Sequence, residues 1–294
     1  MQHLISHLWF DDEASEAVNF YLSVFEDAEI LNEMVYEDTP SGDALSIEFR
    51  LENLYFNAIN GGPQFKFNPS ISIMVSLPDG PAVDKLYGEL AEGGTDLMPL
   101  DSYPFSERYA WFADQYGLTW QLMVDSDHAK SEKLRLNLLF SNAVCGKAEE
   151  ALDFYQEIFE GAEIRAVSKY SEGEAPDERA KINYAELVIG ENELVLMDHG
   201  AGGDFTFNEA YSLLILCASQ AEVDYYWEKL SSDPNAEQCG WLKDKFGVAW
   251  QIVPIRMYEL MAEGTEEELN RVTQAMLKMK KIDIEALENA KYGI

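Results

Sequence analysis

Apolar residues along the chain set out a short series of elements that then recurs. Leu4 to Phe10 is an apolar run of strand length. Ala14, Ala17, Val18, Tyr21, Leu22 and Phe25 follow at helical spacing and make one stripe, which predicts an amphipathic helix with Asp11 or Asp12 as its cap. Leu45, Ile47, Phe49 and Leu51 alternate with Ser46, Glu48 and Arg50, the period of a strand with one buried face. Leu54 to Ile59 pairs with it, and Gly61-Gly62-Pro63 ends the hairpin. A second cycle opens at Ile71 to Leu77, passes through a helix carrying Val83, Leu86, Tyr87 and Leu90, and closes with strands ending at Val124. Each cycle reads βαβββ.

The doubled cycle then returns as a whole. Glu16 to Ile30 (EAVNFYLSVFEDAEI) comes back as Glu150 to Ile164 (EALDFYQEIFEGAEI). Gly61 to Asn68 (GGPQFKFN) comes back as Ala201 to Asn208 (AGGDFTFN), and Trp111 to Val124 (WFADQYGLTWQLMV) as Trp241 to Pro254 (WLKDKFGVAWQIVP). Order is kept, and the period is far longer than a solenoid repeat, so each copy should own a core. Residues 1–127 are read as the first domain, 128–133 as a linker within the polar stretch Asp125 to Lys133, and 134–256 as the second domain. Residues 257–294 form a helical tail. In the second copy Ser219 and Glu222 have capping-box spacing. In the tail Thr265 and Glu268 have it too, with a seam of Leu269, Val272, Met276 and Met279 and a short helix starting at Asp283. Such a tail packs across a domain or between subunits, and a homodimer stays open. The fold class is α+β. Each four-stranded sheet is expected to pack a helix on one face and curl the other toward a partner sheet, enclosing a cleft where function should lie.

Composition narrows the partners. A hydrophobic fraction of 47% with 12% aromatics supplies real cores. No apolar run approaches the ~20 residues of a membrane span. The opening residues lack a basic segment followed by an apolar one, so no secretion signal is expected. Cys145, Cys217 and Cys239 are scattered, which fits reduced thiols and a cytoplasmic setting. The 54 acidic and 21 basic residues give a net charge of −33. This surface repels nucleic-acid backbones and anionic membranes, and its even spread reads as a solubilising shell. The expected partner is a small molecule in the cleft.

His7 to Phe25 (HLWFDDEASEAVNFYLSVF), Gly61 to Val75 (GGPQFKFNPSISIMV) and Cys239 to Pro254 (CGWLKDKFGVAWQIVP) resemble the PhnB-like branch of the vicinal-oxygen-chelate superfamily, which includes glyoxalases and bleomycin-resistance proteins. The branch is often labelled 3-demethylubiquinone-9 3-methyltransferase, and the resemblance spans roughly residues 1–256. It implies two tandem glyoxalase-like domains, each a pair of βαβββ modules enclosing a cleft. It also implies, for enzymes of the superfamily, a divalent metal held by His, Gln or Glu of the first and final strands. His7 falls at the first-strand position, Gln121 at the final-strand position, and Ser70 or Ser72 at the fifth strand. Asn137, Gln251 and Tyr211 or Ser212 correspond in the second copy. One imidazole with neutral amides is a poor set for a divalent ion, so no cofactor is predicted, with His7 and Glu48 as the metal candidates if one binds.

Other residues compete for the cleft. Glu48 and Glu186 hold equivalent strand positions, with solvent-facing carboxylates as the plainer reading. Asp198 and His199 end a strand and, as neighbours, point to opposite faces. Trp9, Trp111, Trp120, Trp241 and Trp250 supply large amphipathic surfaces, and one or two of them, with Trp9, Trp120 and Trp250 as the candidates, could wall the cleft beside core packing, which accounts for most. Cys239 has no readable His-Asp partner and reads as an inert thiol. Gly200-Ala201-Gly202-Gly203 leads to another strand, so it lacks the helix N-terminus a nucleotide cradle needs. Three functions stay in view: metal-free binding of an apolar or aromatic molecule, metal-dependent lyase, isomerase or dioxygenase chemistry, and methyl transfer.

Overall fold

The computed structural model describes residues 4–39, 42–130 and 133–293, so residues 131 and 132 of the expected linker lie outside it. The first module is β1 (Leu4–Phe10), α1 (Ala14–Val24), β2 (Ala28–Thr39), β3 (Gly42–Leu51) and β4 (Leu54–Asn60). The second is β5 (Ile71–Leu77), α2 (Gly80–Leu90), β6 (Thr95–Tyr103), β7 (Ser106–Ala113) and β8 (Thr119–Val124). The third is β9 (Leu134–Phe140), α3 (Ala148–Ile158), β10 (Glu163–Lys169), β11 (Ile182–Ile189) and β12 (Asn192–Asp198). The fourth is shorter: β13 (Tyr211–Cys217), α4 (Gln220–Leu230), β14 (Trp241–Lys243) and β15 (Ala249–Pro254). Where the second module has β6, the fourth has only the loop 231–240. The tail is α5 (Ile255–Ala262), α6 (Glu266–Met276) and α7 (Ile284–Tyr292).

The modules exchange partners. One sheet runs β14-β15-β13-β1-β4-β3-β2, joining the first module to the fourth, and the other runs β10-β11-β12-β9-β5-β8-β7-β6, joining the second to the third. The seams are antiparallel, with His7 opposite Ser212 in one and Asn137 opposite Ser72 in the other. Each sheet therefore takes one half from each copy.

This exchange corrects the expectation that each copy owns a core. A single apolar cluster runs from Leu4 to Ile252 through both copies. It forms because α1 packs on β3 and β4 of one sheet while its Tyr21 and Phe25 meet Trp120 of the other. In the second copy α3 bridges in the same way, with Tyr155 and Phe159 against Trp250. The opposite face of each sheet is left as a hollow. Tyr36 of β2 and Trp241 of β14, from the two outermost strands of the seven-stranded sheet, line the same cavity, so that sheet curls round it.

Local chemistry explains the helix ends. Neither Asp11 nor Asp12 caps α1; Asn60 reaches back from β4, and its Oδ1 accepts from Ala14 N at 2.8 Å. Ser219 accepts from Glu222 N, but Glu222 bonds Ala218 N, so that box is only half formed. Thr265 and Glu268 form the full reciprocal box, and Asp283 caps α7.

Candidate ligand site

The hollow of the seven-stranded sheet holds a cavity of about 510 Å³. Strand alternation points His7 and Trp9 of β1, Ser46 of β3, Asn57 and Ile59 of β4 and Gln251 of β15 into it. Trp9, Trp241 and Phe65 make an aromatic wall: Trp9 meets Phe65 at 5.2 Å and Trp241 at 6.1 Å between centroids, both edge-on. Trp9 donates its Nε1 to Gly62 O at 2.8 Å. It lies so close over Gly61 that a Cβ there would fall 2.2 Å from the ring, which is why a glycine ends this hairpin.

His7 is the most unusual group in the cavity. It is 4% exposed, its ring lies edge-on to Trp241 with centroids 5.1 Å apart, and its Nδ1 has no hydrogen-bond partner among the described residues. Burial pushes its pKa down to about 3, so the imidazole is neutral. Around it Gln251 Nε2 donates to Ser212 Oγ at 3.0 Å, and Asn57 Nδ2 to Ser46 Oγ at 3.0 Å. Glu209 at the edge is matched by Lys243 at 2.8 Å.

The other hollow has the same frame and is filled. Gln121 donates to Ser72 Oγ at 2.7 Å and to Asn137 Oδ1 at 2.9 Å, while the Tyr109 hydroxyl bonds Gln121 Oε1 at 2.8 Å. Tyr109, Trp111 and Leu139 pack there with Met98 and Tyr103 of β6. In the fourth module Cys239 replaces Tyr109 and the loop 231–240 replaces β6, so the plugging side chains are missing. The deeper end is filled by Arg135, fully buried, with Nη1 on the Tyr184 hydroxyl at 2.6 Å and 3.4 and 3.3 Å from Glu186 and Glu193. Its Nη2 lies 3.2 Å from Asp125, which holds His128 Nδ1 at 2.7 Å.

The expected site residues thus divide. His7, Trp9 and Gln251 share the cavity, whereas Gln121, Asn137 and Glu186 belong to the filled hollow. Trp120 and Trp250 are corrections, since both are fully buried on the helix-covered faces. Each donates its Nε1 to a buried aspartate at 2.9 Å, Asp114 or Asp244. Those aspartates also accept from Tyr21 or Tyr155 and from two turn amides apiece. The recurring WFADQYGLTWQ and WLKDKFGVAWQ segments are therefore pins joining helix, turn and strand. Asp198 is another such pin, fully buried and accepting from Gly146, Ala148, Lys181 and Ile182 amides. His199 faces Trp111 and Phe205. Glu48 is half-buried, accepts from Tyr258 and Asn32, and has its pKa raised by burial.

The two hollows differ in what they offer a divalent metal. In the cavity one neutral imidazole faces amides, hydroxyls, the Cys239 thiol and a Glu209 carboxylate paired with Lys243, and no group of three ligating side chains among the described residues includes His7 or Glu48. His128, Glu186 and Glu193 do bring ligand atoms within 4.8 Å of one another, but the Arg135 guanidinium already supplies the positive charge there. The sequence reading missed Arg135, whose signal was a lone cation in the apolar run LRLNLLF. It also missed Phe65 and Tyr258 as cavity walls, while Trp241, one of its five candidate tryptophans, does line the cavity.

Comparison with known proteins places this geometry. Glyoxalase I from Zea mays is 13% identical over 90% of this chain and 98% of its own, with a TM-score of 0.57, so the chain has the glyoxalase fold. The model of the family described as 3-demethylubiquinone-9 3-methyltransferase matches residues 2–123 and again 132–253. The chain belongs to that PhnB-like family of the vicinal-oxygen-chelate superfamily, as a tandem form. The PhnB protein of Bacillus cereus is 33% identical, covering 41% of this chain and 98% of its own, with a TM-score of 0.38. The fosfomycin resistance protein FosX of Listeria monocytogenes is 15% identical over 42% of this chain and 93% of its own, with a TM-score of 0.33. No curated protein matches. No helix among the described residues is long and apolar enough to cross a membrane.

Proposed function

We propose that the cavity of the seven-stranded sheet binds one small, uncharged, flat apolar molecule without a catalytic metal. The observation that carries this reading is a buried His7 nitrogen without a partner among the described residues, set in an aromatic-walled cavity of about 510 Å³. That volume lies in the range of ligand pockets, ~300–1,000 Å³. An unpaired buried polar group costs roughly 1–3 kcal/mol, which a ligand hydroxyl or amide would recover. Edge-on rings favour a planar partner. Among the described residues that line the site, His7 is neutral and Glu209 is matched by Lys243, which favours an uncharged ligand over an ionised one. The family description names methyl transfer, yet the Gly200–Gly203 turn connects β12 to β13 with no helix between them, so it lacks a helix N-terminus for a nucleotide-like methyl donor.

Tryptophan-fluorescence titration with 2-naphthol tests the proposal. Saturable binding is expected, weakened about tenfold or more by Trp241→Ala from lost ring burial, and indifferent to chelator. No saturation, or binding that needs added Mn²⁺ or Zn²⁺, would overturn it and restore the metal-dependent alternative.

A further inference from the structure

The family match ends at residue 253, yet one wall of the cavity comes from beyond it. Because β15 runs straight into α5, Met257 and Tyr258 face the cavity, and the end of α6 brings Met276 and Leu277 to it. This wall is built in. Leu260, Val272, Ile282 and Leu287 of the tail cluster with Leu214 and Val253 of the sheet. Cys239 N bonds Met279 O and Gly240 N bonds Lys280 O, each at 2.8 Å, and Lys280 Nζ bonds Pro234 O at 2.8 Å. The loop 231–240, which supplies Asn235 and Gln238 to the cavity, is thereby fastened to the tail. The other hollow is closed from the corresponding place: His128 follows β8 as Tyr258 follows β15, and it lies against Glu186 as Tyr258 lies against Glu48. There the filling is ionic, and here it is apolar.

We propose that the tail is the specificity element of the ligand site, with Met276 and Leu277 setting the longest molecule it accepts and Tyr258, anchored on Glu48, holding that wall in place. This rests on the cavity being a ligand site. Thioether side chains adapt to shape, but a wall fastened on both sides refuses added methylenes, each worth roughly tenfold in a closed apolar pocket.

Two neutral fluorophores that differ only in chain length test this on the full-length protein: the propanoyl and nonanoyl forms of 6-acyl-2-(dimethylamino)naphthalene. The wild type should bind the propanoyl form at least about tenfold more tightly. Met276→Ala with Leu277→Ala should bring the two within roughly threefold, chiefly by tightening nonanoyl binding, whereas Trp9→Ala should weaken both. Because the double variant could loosen the tail, hydrogen exchange on the wild type is the second measurement. The propanoyl probe should slow exchange in residues 235–240 and in α6. An unchanged ratio in a folded double variant, or protection confined to β1 and β4, would overturn the tail's role and leave the ligand site standing. Failure of the wild type to bind either probe would overturn both readings.

Discussion

Acidification acts on His7 in a way that can be calculated and isolated. Burial holds its imidazole at about 3, against 6.5 in an unfolded chain, which corresponds to a penalty of about 5 kcal/mol on the protonated form at ~1.36 kcal/mol per pH unit. The unfolded chain takes up the proton below 6.5 and the folded chain only near 3. The stabilisation from neutral His7 is therefore complete above pH 6.5 and is lost as pH falls from 6.5 toward 3. At pH 5 the loss should be about 2 kcal/mol by the linkage relation. His7→Asn is the comparison, because Asn137 occupies the equivalent strand position in the second copy and does not titrate. Carboxylates elsewhere titrate in both proteins and cancel in the difference. Urea unfolding at pH 8 and pH 5 should show the wild type losing about 2 kcal/mol more than the variant. Equal losses would refute burial as what keeps His7 neutral, and a larger loss in the variant would reverse the sign.

Three further outcomes follow from the geometry. Asp244→Ala strands the Tyr155 hydroxyl, the Trp250 indole and two turn amides in the core, so chemical denaturation should show a loss of about 3 kcal/mol or more, with Asp114→Ala matching it in the other sheet. Arg135→Met removes the buried guanidinium that Glu186 and Glu193 share, leaving Glu193 its pairing with Arg165 at 3.2 Å, and should cost about 3–5 kcal/mol at pH 7. Gly61→Ala sets a methyl group 2.2 Å from the Trp9 ring, so the indole must leave its seat. Near-ultraviolet circular dichroism should change, and 2-naphthol affinity should fall.

Local pattern made much of the fold readable. Helical spacing gave α1 and its copy α3, alternation gave β3, and the duplication was plain from recurring segments. What could not be read was which module lies beside which. Strand period says that a face is buried, and nothing in Leu4 to Phe10 says that its neighbour will be Tyr211 to Cys217. The same gap explains the tryptophans. Trp120 and Gln121 are adjacent in sequence and therefore face opposite ways, so a motif containing both could not supply two cavity residues. The openness of only one hollow depended on subtler differences. Cys239 stands for Tyr109 and a Pro-containing loop for β6, and their effect is visible only when the two hollows are set side by side.

The exchange of modules also changes what a single copy could be. Severed between 130 and 133, the chain would keep every strand ladder, because β1 pairs with β13 and β5 with β9 across the two copies. The two fragments would be a pair of interlocked pieces. Either piece alone would present two long unpaired strand edges, one on each half-sheet, and such edges recruit further strands unless covered. The covalent linker thus acts chiefly on concentration and fidelity. It keeps each half-sheet beside the partner that fits it, one lined to be filled and the other to stay open.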